Sequence, residues 1–224
     1  MSLPLLVLRP EPGASATARR SEERGLHPIR YPLFEVHATA WQAPDPDGFD
    51  AMLLTSANTL RCAGPQLDLF RHLPVFAVGE ATAEAARARG FSIAAVGYSG
   101  AQAIADIMAA RGHARVFHPG GRDWREFNAG PLSIIRRCVY ESVEAGTAEG
   151  LAAVMPEEGV ALIHSPRGAV RLAKLVPMRE RPRLHLAAVS PAVLEAAGAG
   201  WASGDASPVP KDEALLVLAA ALCK

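Results

Sequence analysis

Residues 51–60 read A-M-L-L-T-S-A-N-T-L, and residues 161–170 read A-L-I-H-S-P-R-G-A-V. Each stretch joins a short apolar run to a polar turn and a helical pattern, and a second unit of the same kind follows each, at residues 74–91 and 184–201. Short apolar runs bounded by turn residues are typical of strands buried in parallel sheets. The chain therefore contains the same pair of strand–turn–helix units twice, which predicts two related α/β domains with a ligand cleft between them.

A further correspondence predicts how the two domains share the chain. Pro10 and Tyr31 are separated by 21 positions, and so are Pro119 and Tyr140. The segment from Pro10 to Tyr31 stands at the N-terminus, before every other unit. The corresponding segment from Pro119 to Tyr140 follows residues 51–91. The simplest topology inserts one domain into the other. Domain one would comprise residues 1–36 and 145–224, domain two residues 42–139, and two crossing strands near residues 37–41 and 140–144 would link them.

Apolar runs alternate with helical patterns along the chain, which predicts βαβ units and parallel sheets. Gly25, Gly90 and Gly112 are expected to end three helices in the left-handed conformation that glycine permits. Ser99 and Thr147 are expected to begin helices, because a hydroxyl can accept from the free N–H groups there. The predicted strands are residues 5–8, 29–34, 51–54, 75–78, 93–96, 114–117, 137–140, 160–163 and 184–189, and a further helix is expected to open at residues 118–121.

Composition and charge narrow the class of protein. The 23 Lys and Arg residues balance 23 Asp and Glu residues, which argues against nonspecific nucleic-acid binding. The three cysteines, Cys62, Cys138 and Cys223, are odd in number and lack metal-ligand spacing, which favours reduced thiols in the cytosol. The apolar runs at residues 3–8 and 215–223 are shorter than a signal peptide or a membrane span requires. We therefore expect a soluble cytoplasmic protein.

The sequence lacks the motifs that indicate a nucleotide cofactor or a metal site. It contains no Walker loop, no G-x-G-x-x-G after a strand, no H-E-x-x-H, no C-x-x-C and no G-x-S-x-G. None of the seven histidines forms an i, i+4 pair, although His118 and His164 stand at predicted strand ends. Each of these two histidines either faces a ligand or is a partly buried turn residue. We expect neither a cofactor nor a metal.

Small and polar residues follow most of the predicted strands. In a parallel sheet, these positions lie at the C-terminal strand ends, where helix N-termini offer N–H groups to anions. Such residues either simply cap helices or together bind several carboxylates or phosphates. Tyr140 lies at the predicted crossover between the domains. Its phenol either projects into the cleft or packs against the linker strands as a structural aromatic residue. The candidates for binding are Arg9, Thr55, Ser56, Ala57, Asn58, Gly79, Glu80, Thr82, His118, Gly120, Gly121, Ser165, Arg167 and Ser190, with Arg61, Arg122, Arg125 and Lys174 as further cations at the rim.

The order of these motifs resembles the uroporphyrinogen-III synthase family, and the resemblance spans nearly the whole chain. It implies an α/β fold of two flavodoxin-like (Rossmann-like) three-layer domains with parallel sheets, one inserted in the other and joined by a two-strand linker. The motifs that carry it are T-S-A-N at 55–58, V-G-E-A-T-A at 78–83, C-V-Y-E at 138–141, S-P-R-G-A-V at 165–170, A-V-S-P-A-V at 188–193 and P-K-D-E-A-L-L at 210–216.

The resemblance also implies a reaction. Members of the family are lyases that close the linear tetrapyrrole hydroxymethylbilane into uroporphyrinogen III, with loss of water and inversion of ring D, and they use no cofactor or metal. Tyr140 matches the cleft tyrosine that assists departure of the hydroxyl, and the turns of Ser56, Thr82 and Ser165 match turns that bear hydroxyls. At residues 192–193, many members have threonines, but this chain has alanine and valine. A hydroxyl in that turn would have to come from Ser190.

The residues by themselves leave two alternatives open. A non-catalytic bilobed sensor of a carboxylated small molecule would use the same turns but would form no type III isomer. A nucleotide-sugar transferase with two Rossmann-like domains is disfavoured by the short chain and by the missing glycine-rich loop. We expect a monomeric enzyme whose partner is its small-molecule substrate, and neither nucleic acid nor a membrane.

Overall fold

Two sheets organise the chain, and the computed structural model describes residues 2–124 and 126–223. Unit 1 comprises Met1–Glu35 and Val143–Lys224, and unit 2 comprises Val36–Ser142. The strands are β1 Leu5–Val7, β2 Pro28–Arg30, β3 Phe34–Ala38, β4 Ala51–Leu54, β5 Val75–Val78, β6 Ile93–Gly97, β7 Arg115–Gly121, β8 Ser133–Glu144, β9 Gly159–Ile163, β10 Leu184–Ala188 and β11 Ser203–Ala206. The α-helices are α1 Gly13–Glu22, α2 Ala57–Cys62, α3 Glu80–Ala88, α4 Ala101–Ala110, α5 Ala148–Val154, α6 Pro166–Leu175, α7 Pro191–Ala196 and α8 Asp212–Leu222, and short 3₁₀ helices span Pro46–Gly48, Pro65–Phe70 and Met178–Arg183.

Unit 1 contains a five-stranded parallel sheet in the order β11-β10-β9-β1-β2. Counted along the unit, this is the 2-1-3-4-5 order of flavodoxin-like folds. Alternate residues of its strands are buried on opposite faces. Leu6 packs with residues of α6 and α7 on one face, whereas Leu5 and Val7 pack with residues of α1 and α8 on the other. Helices therefore cover both faces, as an all-parallel sheet requires.

Unit 2 contains a six-stranded sheet in the order β3-β8-β7-β4-β5-β6, in which β8, β7, β4, β5 and β6 pair in parallel. On one face, Met52 and Leu54 lie in a core with Phe70 and Phe117, whose ring centroids are 4.2 Å apart. On the other face, Leu53 packs against residues of α4. The predicted α/β fold with parallel sheets is confirmed.

Several predicted elements are confirmed and others are wrong. Gly25, Gly90 and Gly112 have positive φ angles of 73°, 85° and 81° at helix ends, and Thr147 caps α5 by accepting from Gly150 N at 3.0 Å. The predicted strand at 29–34 is two strands, because Pro32 has no N–H to donate to a ladder. The helix predicted to begin at Ser99 is capped instead by the Gly100 backbone, which has a φ of 94°.

The helix expected to open at residues 118–121 is wrong as well. These residues complete β7, where Pro119 pairs in register with Arg137 and Gly120 with Cys138. The described residues between Gly121 and Ser133 contain no helix. Because the glycines extend the ladder instead of ending it, the last residues of β7 lie beside residues 136–140 of β8. Side chains of these two strand segments form part of the candidate site.

Candidate functional site

Each sheet reverses its strand order at one place, between β1 and β9 in unit 1 and between β4 and β7 in unit 2. At such a switch point, the connections leave towards opposite sides, which opens a crevice at the C-terminal strand ends. Arg9 and Ser165 follow the two strands of the first switch point, and Thr55 and Gly120 lie at the second. The fold therefore gathers predicted site residues at both places where a ligand site is expected.

In unit 2, a cluster of four polar side chains forms across β4, β7 and β8. Thr55 Oγ1 lies 3.3 Å from His118 Nε2, and His118 pairs in register with Arg136. Tyr140 pairs in register with Gly121. Thr55, His118, Arg136 and Tyr140 are called the Tyr140 cluster below.

Gly120 and Gly121 leave room for this cluster because they have no side chain. A Cβ at Gly121 would lie 2.8 Å from the Cε2 and Cζ atoms of the Tyr140 ring, and a Cβ at Gly120 would lie 3.3 Å from His118 Nε2. Both glycines were predicted as site residues from their place after a strand, and the structure gives the physical reason for glycine there. The Tyr140 ring is held against the strand, partly buried, and its hydroxyl has no hydrogen bond to the residues that the structure describes.

His118 is almost fully buried, at 2% exposure. Burial, followed by the charge of Arg136, lowers the pKa of His118 to about 3. The imidazole is therefore neutral at physiological pH. It adds no charge to the Tyr140 cluster, so the one cation of that cluster is Arg136.

We expect His118 to make unit 2 sensitive to acid. Its folded-state pKa lies below the unfolded value, so the unfolded chain takes up a proton first and stability falls as the pH falls. With a folded pKa of about 3 and an unfolded value of about 6.5, the loss between pH 7 and pH 5 is about 2 kcal/mol. Urea unfolding followed by tryptophan fluorescence in a Trp201→Phe background measures this, because Trp41 and Trp124 then report on unit 2 alone.

In that background, His118→Gln should weaken the dependence of the free energy of unfolding on pH. Replacement of the exposed His72 by glutamine should leave that dependence unchanged. A His118→Gln protein with the same pH dependence as its parent would contradict the buried neutral state of His118.

The other predicted turns of unit 2 lie where helices begin. Ser56 caps α2, with its Oγ accepting from Asn58 N at 3.2 Å, and Ala57 is the first residue of that helix. Gly79 caps α3 with its backbone at a φ of 81°. Thr82 lies inside α3 and is 5% exposed. Ser56 therefore stands at a strand end, whereas the Thr82 hydroxyl is largely withdrawn from solvent.

In unit 1, two predicted serines precede helices. Ser165 caps α6, and its Oγ accepts from Gly168 N at 3.1 Å. Ser190 precedes α7, is half-buried and makes no capping hydrogen bond through its side chain. The guanidinium of Arg167 lies 4.7 Å from the centre of the Phe34 ring.

Arg9 is engaged within unit 1. Its Nη1 donates to Asp212 Oδ1 at 3.2 Å and to Thr17 Oγ1 at 3.3 Å. Asp212 also accepts from Arg20 Nη2 at 2.6 Å and from His164 Nε2 at 2.8 Å. We call Arg9, Thr17, Arg20, His164 and Asp212 the Asp212 cluster. Burial raises the pKa of Asp212, but the hydrogen bonds and charges of this cluster outweigh burial and hold it well below its usual value.

The remaining candidate cations are dispersed. Arg61 donates to Asn58 Oδ1 at 2.7 Å, Arg122 forms an ion pair with Glu141 at 2.9 Å, and Lys174 lies on α6. Arg125 falls outside the described residues. Among the residues that the structure describes, no group of three or more His, Cys, Asp or Glu side chains could hold a metal ion. Within the same residues, no helix is both long enough and apolar enough to cross a membrane.

Sequence reasoning missed Arg136 and Asp212. The signal for Arg136 is a pair of arginines inside the otherwise apolar run I-I-R-R-C-V-Y at 134–140. A charged residue in the middle of a buried strand is rare unless it is paired. Asp212 gives only the weak signal of an acidic residue at a helix start, and its partners lie far away in sequence.

Comparison with known proteins identifies relatives. The family model described as uroporphyrinogen-III synthase HemD matches residues 15–216. A solved uroporphyrinogen-III synthetase from Helicobacter pylori is similar, with a TM-score of 0.68 and 17% identity over 99% of this chain and 100% of that chain. A mutant uroporphyrinogen III synthase from Thermus thermophilus has a TM-score of 0.51 and 14% identity over 98% of each chain. No match was found among curated protein sequences.

Proposed function

The chain belongs to the uroporphyrinogen-III synthase family, and from this premise we propose how its residues carry out the reaction of that family. The reaction closes linear hydroxymethylbilane into uroporphyrinogen III, with loss of water and inversion of ring D. The family match over residues 15–216 is the observation that carries the assignment. The roles of individual residues in the following paragraphs are our proposal.

The strand-end residues of both units bind the carboxylates of the substrate. Ser56 and Ser165 accept capping hydrogen bonds through oxygen lone pairs, so the hydrogen of each hydroxyl is still available for donation to a carboxylate. Ser190 makes no capping bond through its side chain, so both its donor and its acceptor are available to a ligand. Gly79 and Gly120 have no side chain, so a carboxylate can approach the backbone closely at these two positions. Several neutral donors suit a flexible polycarboxylate better than one ion pair does.

Tyr140 supplies or relays the proton that departs with the terminal hydroxyl of the substrate. Hydroxide is a poor leaving group, so protonation of its oxygen as the C–O bond breaks lets it leave as water. Ring D then attacks the resulting electrophilic carbon through its own substituted carbon, and the spiro intermediate opens and recloses with ring D inverted. The partly buried phenol beside Gly121 is suited to this step because it has no internal hydrogen bond among the described residues.

The main task of the protein is orientation. Without enzyme, hydroxymethylbilane closes through the free carbon of ring D and gives the type I isomer. An enzyme that fixes both ends of the chain favours the other carbon by lowering the entropic cost of that geometry. Dehydration, ring closure and inversion involve no change of oxidation state, so we propose a cofactor-independent lyase. We also propose that it acts as a cytoplasmic monomer.

The experiment that tests this function is an isomer assay. Purified protein is given freshly generated hydroxymethylbilane, the products are oxidised to porphyrins, and the type I and type III isomers are separated by chromatography. We expect an excess of the type III isomer that depends on protein, with heat-denatured protein as the control. Formation of only the type I isomer would overturn the proposal and favour a non-catalytic binding protein.

A further inference from the structure

We propose that Arg136 binds a carboxylate of the substrate and helps to determine specificity for the polycarboxylate. The inference rests on the proposed function, because that function supplies the ligand. It deepens the proposal by assigning a role to a residue in the middle of β8 that has no anionic partner among the described residues.

Arg136 is a cation without a counterion in the part of the chain that the structure describes. Its Nη2 donates to the Gly121 carbonyl at 3.3 Å, and its buried Nε has no hydrogen-bond partner. None of the ion pairs formed by residues 2–124 and 126–223 involves Arg136. The neighbouring Arg137 differs, because it donates to two backbone carbonyls, those of Gln42 and Arg136.

The guanidinium lies against an aromatic ring that fixes its plane. Its Cζ is 3.6 Å from the centre of the Trp124 ring, and Trp124 is 45% exposed. Arginine stacked on an aromatic face keeps the N–H groups at its edge free for a planar acceptor. A carboxylate is such an acceptor, since its two oxygens match two parallel N–H donors.

Burial makes an anionic ligand favourable at this position. Burial lowers the pKa of Arg136, while nearby Cys138 and Tyr140 act in the opposite direction. A partly desolvated cation destabilises the folded protein unless an anion pairs with it. A carboxylate that enters would offset this cost, so part of its binding free energy comes from relief of the unpaired cation.

The position of Arg136 connects the bound carboxylate to the reacting group. Arg136 Nη2 lies 3.7 Å, and His118 Nε2 3.3 Å, from where a Cβ of Gly120 would stand, and Tyr140 packs on the adjacent Gly121. A carboxylate held by Arg136 therefore lies on the same strands as the phenol. The neutral His118 adds no competing charge. Arg136 thus combines recognition of charge with placement of the substrate beside Tyr140.

The test replaces Arg136 and measures KM and kcat separately for hydroxymethylbilane. Arg136→Gln should raise KM by about 10- to 100-fold, the range expected for a lost charge-assisted hydrogen bond, and should weaken the dependence of KM on salt. Arg136→Lys keeps the charge but not the planar guanidinium, so its KM should lie between those of the wild type and Arg136→Gln. Arg115→Gln removes the same charge from the exposed start of β7 and should behave as wild type.

A purely structural role would give a different result. Arg136→Gln would then lower the thermal midpoint and leave KM unchanged, and this outcome would overturn the inference. If Arg136→Gln fails to fold, Trp124→Leu decides, because this exposed ring can be removed without leaving a cavity. It should raise KM by about 2- to 30-fold through the loss of the cation–π contact. An unchanged KM would overturn the inference.

A binding measurement separates this inference from the proposed function. Uroporphyrin III, which keeps eight carboxylates, should bind the wild type more tightly than Arg136→Gln, whereas its uncharged octamethyl ester should not distinguish the two. If the wild type forms no type III isomer but shows this difference, the proposed function fails and the carboxylate site stands. If the wild type forms the isomer and the two proteins bind uroporphyrin III equally, the site fails and the function stands.

Discussion

Replacement of Tyr140 by phenylalanine is expected to slow formation of uroporphyrinogen III by about 10²- to 10⁴-fold, the usual contribution of a positioned general acid. The change removes one oxygen from a partly buried ring and leaves its packing against Gly121 in place. Binding of substrate should change little, so the loss should appear in kcat. The isomer assay with fresh hydroxymethylbilane measures it, together with a thermal midpoint to show that the fold is intact.

The matched control is Tyr98→Phe. This change also removes one phenolic oxygen from unit 2, but Tyr98 is 77% exposed and its hydroxyl donates to Glu80. Its rate should equal that of the wild type. Undiminished formation of the type III isomer by Tyr140→Phe would exclude the acid role.

A companion pair of glycine variants tests the position of the phenol and not only its presence. Gly121→Ala places a methyl group 2.8 Å from the Tyr140 ring and should reduce the rate by displacing it, whereas a Cβ at Gly48 meets nothing within 4 Å. Gly48→Ala should therefore be active. Equal activity of the two variants would show that the ring need not stay where the structure places it.

Replacement of Asp212 by alanine is expected to destabilise the protein by about 3 kcal/mol, which corresponds to a fall of about 10 °C in Tm. Asp212 is 11% exposed and forms ion pairs with Arg9 and Arg20, so its removal leaves Arg9 without a carboxylate and Arg20 with only the exposed Glu213 at 4.0 Å. It also releases His164 and Thr17, and with them the contact of the α8 N-terminus with the end of β9 and with α1. Calorimetry or circular dichroism measures the Tm.

Glu213→Ala is the control for this effect. Glu213 stands next in sequence but is 61% exposed, and it lies 4.0 Å from Arg20. Exposed pairs contribute little, so its Tm should stay within about 2 °C of the wild type. Equal Tm values for the two variants would show that the Asp212 cluster is not a major source of stability.

The sequence allowed most of the fold to be predicted because the relevant signals are local. Runs such as M-L-L at 52–54 and A-L-I at 161–163, bounded by turn residues, are typical of buried strands, and Gly25, Gly90 and Gly112 mark helix ends through their own backbone freedom. β11 was missed because S-G-D-A at 203–206 has no apolar pattern. Its place at the sheet edge depends on β10, which the local sequence does not reveal.

The candidate site was only partly predictable. Glycines and serines after predicted strands pointed to residues that the structure places at C-terminal strand ends of both sheets, because parallel strands end where helix N-termini begin. The pattern did not tell which cations are free to meet a ligand. Arg9 was a good candidate by position, yet its guanidinium is engaged by Asp212, 203 positions away. Arg136 looked like part of a strand, yet it is a partly buried cation with no anionic partner among the described residues.

The sequence by itself therefore determined most of the strands and turns and their order, since burial patterns and backbone preferences act over a few residues. Only the tertiary structure decided which polar side chains meet. The contact of Thr55 with His118, the pairing of Gly121 with Tyr140 and the capture of Arg9 by Asp212 join residues from distant segments. The strength of such contacts depends on distance and desolvation, and these are properties of the packed chain.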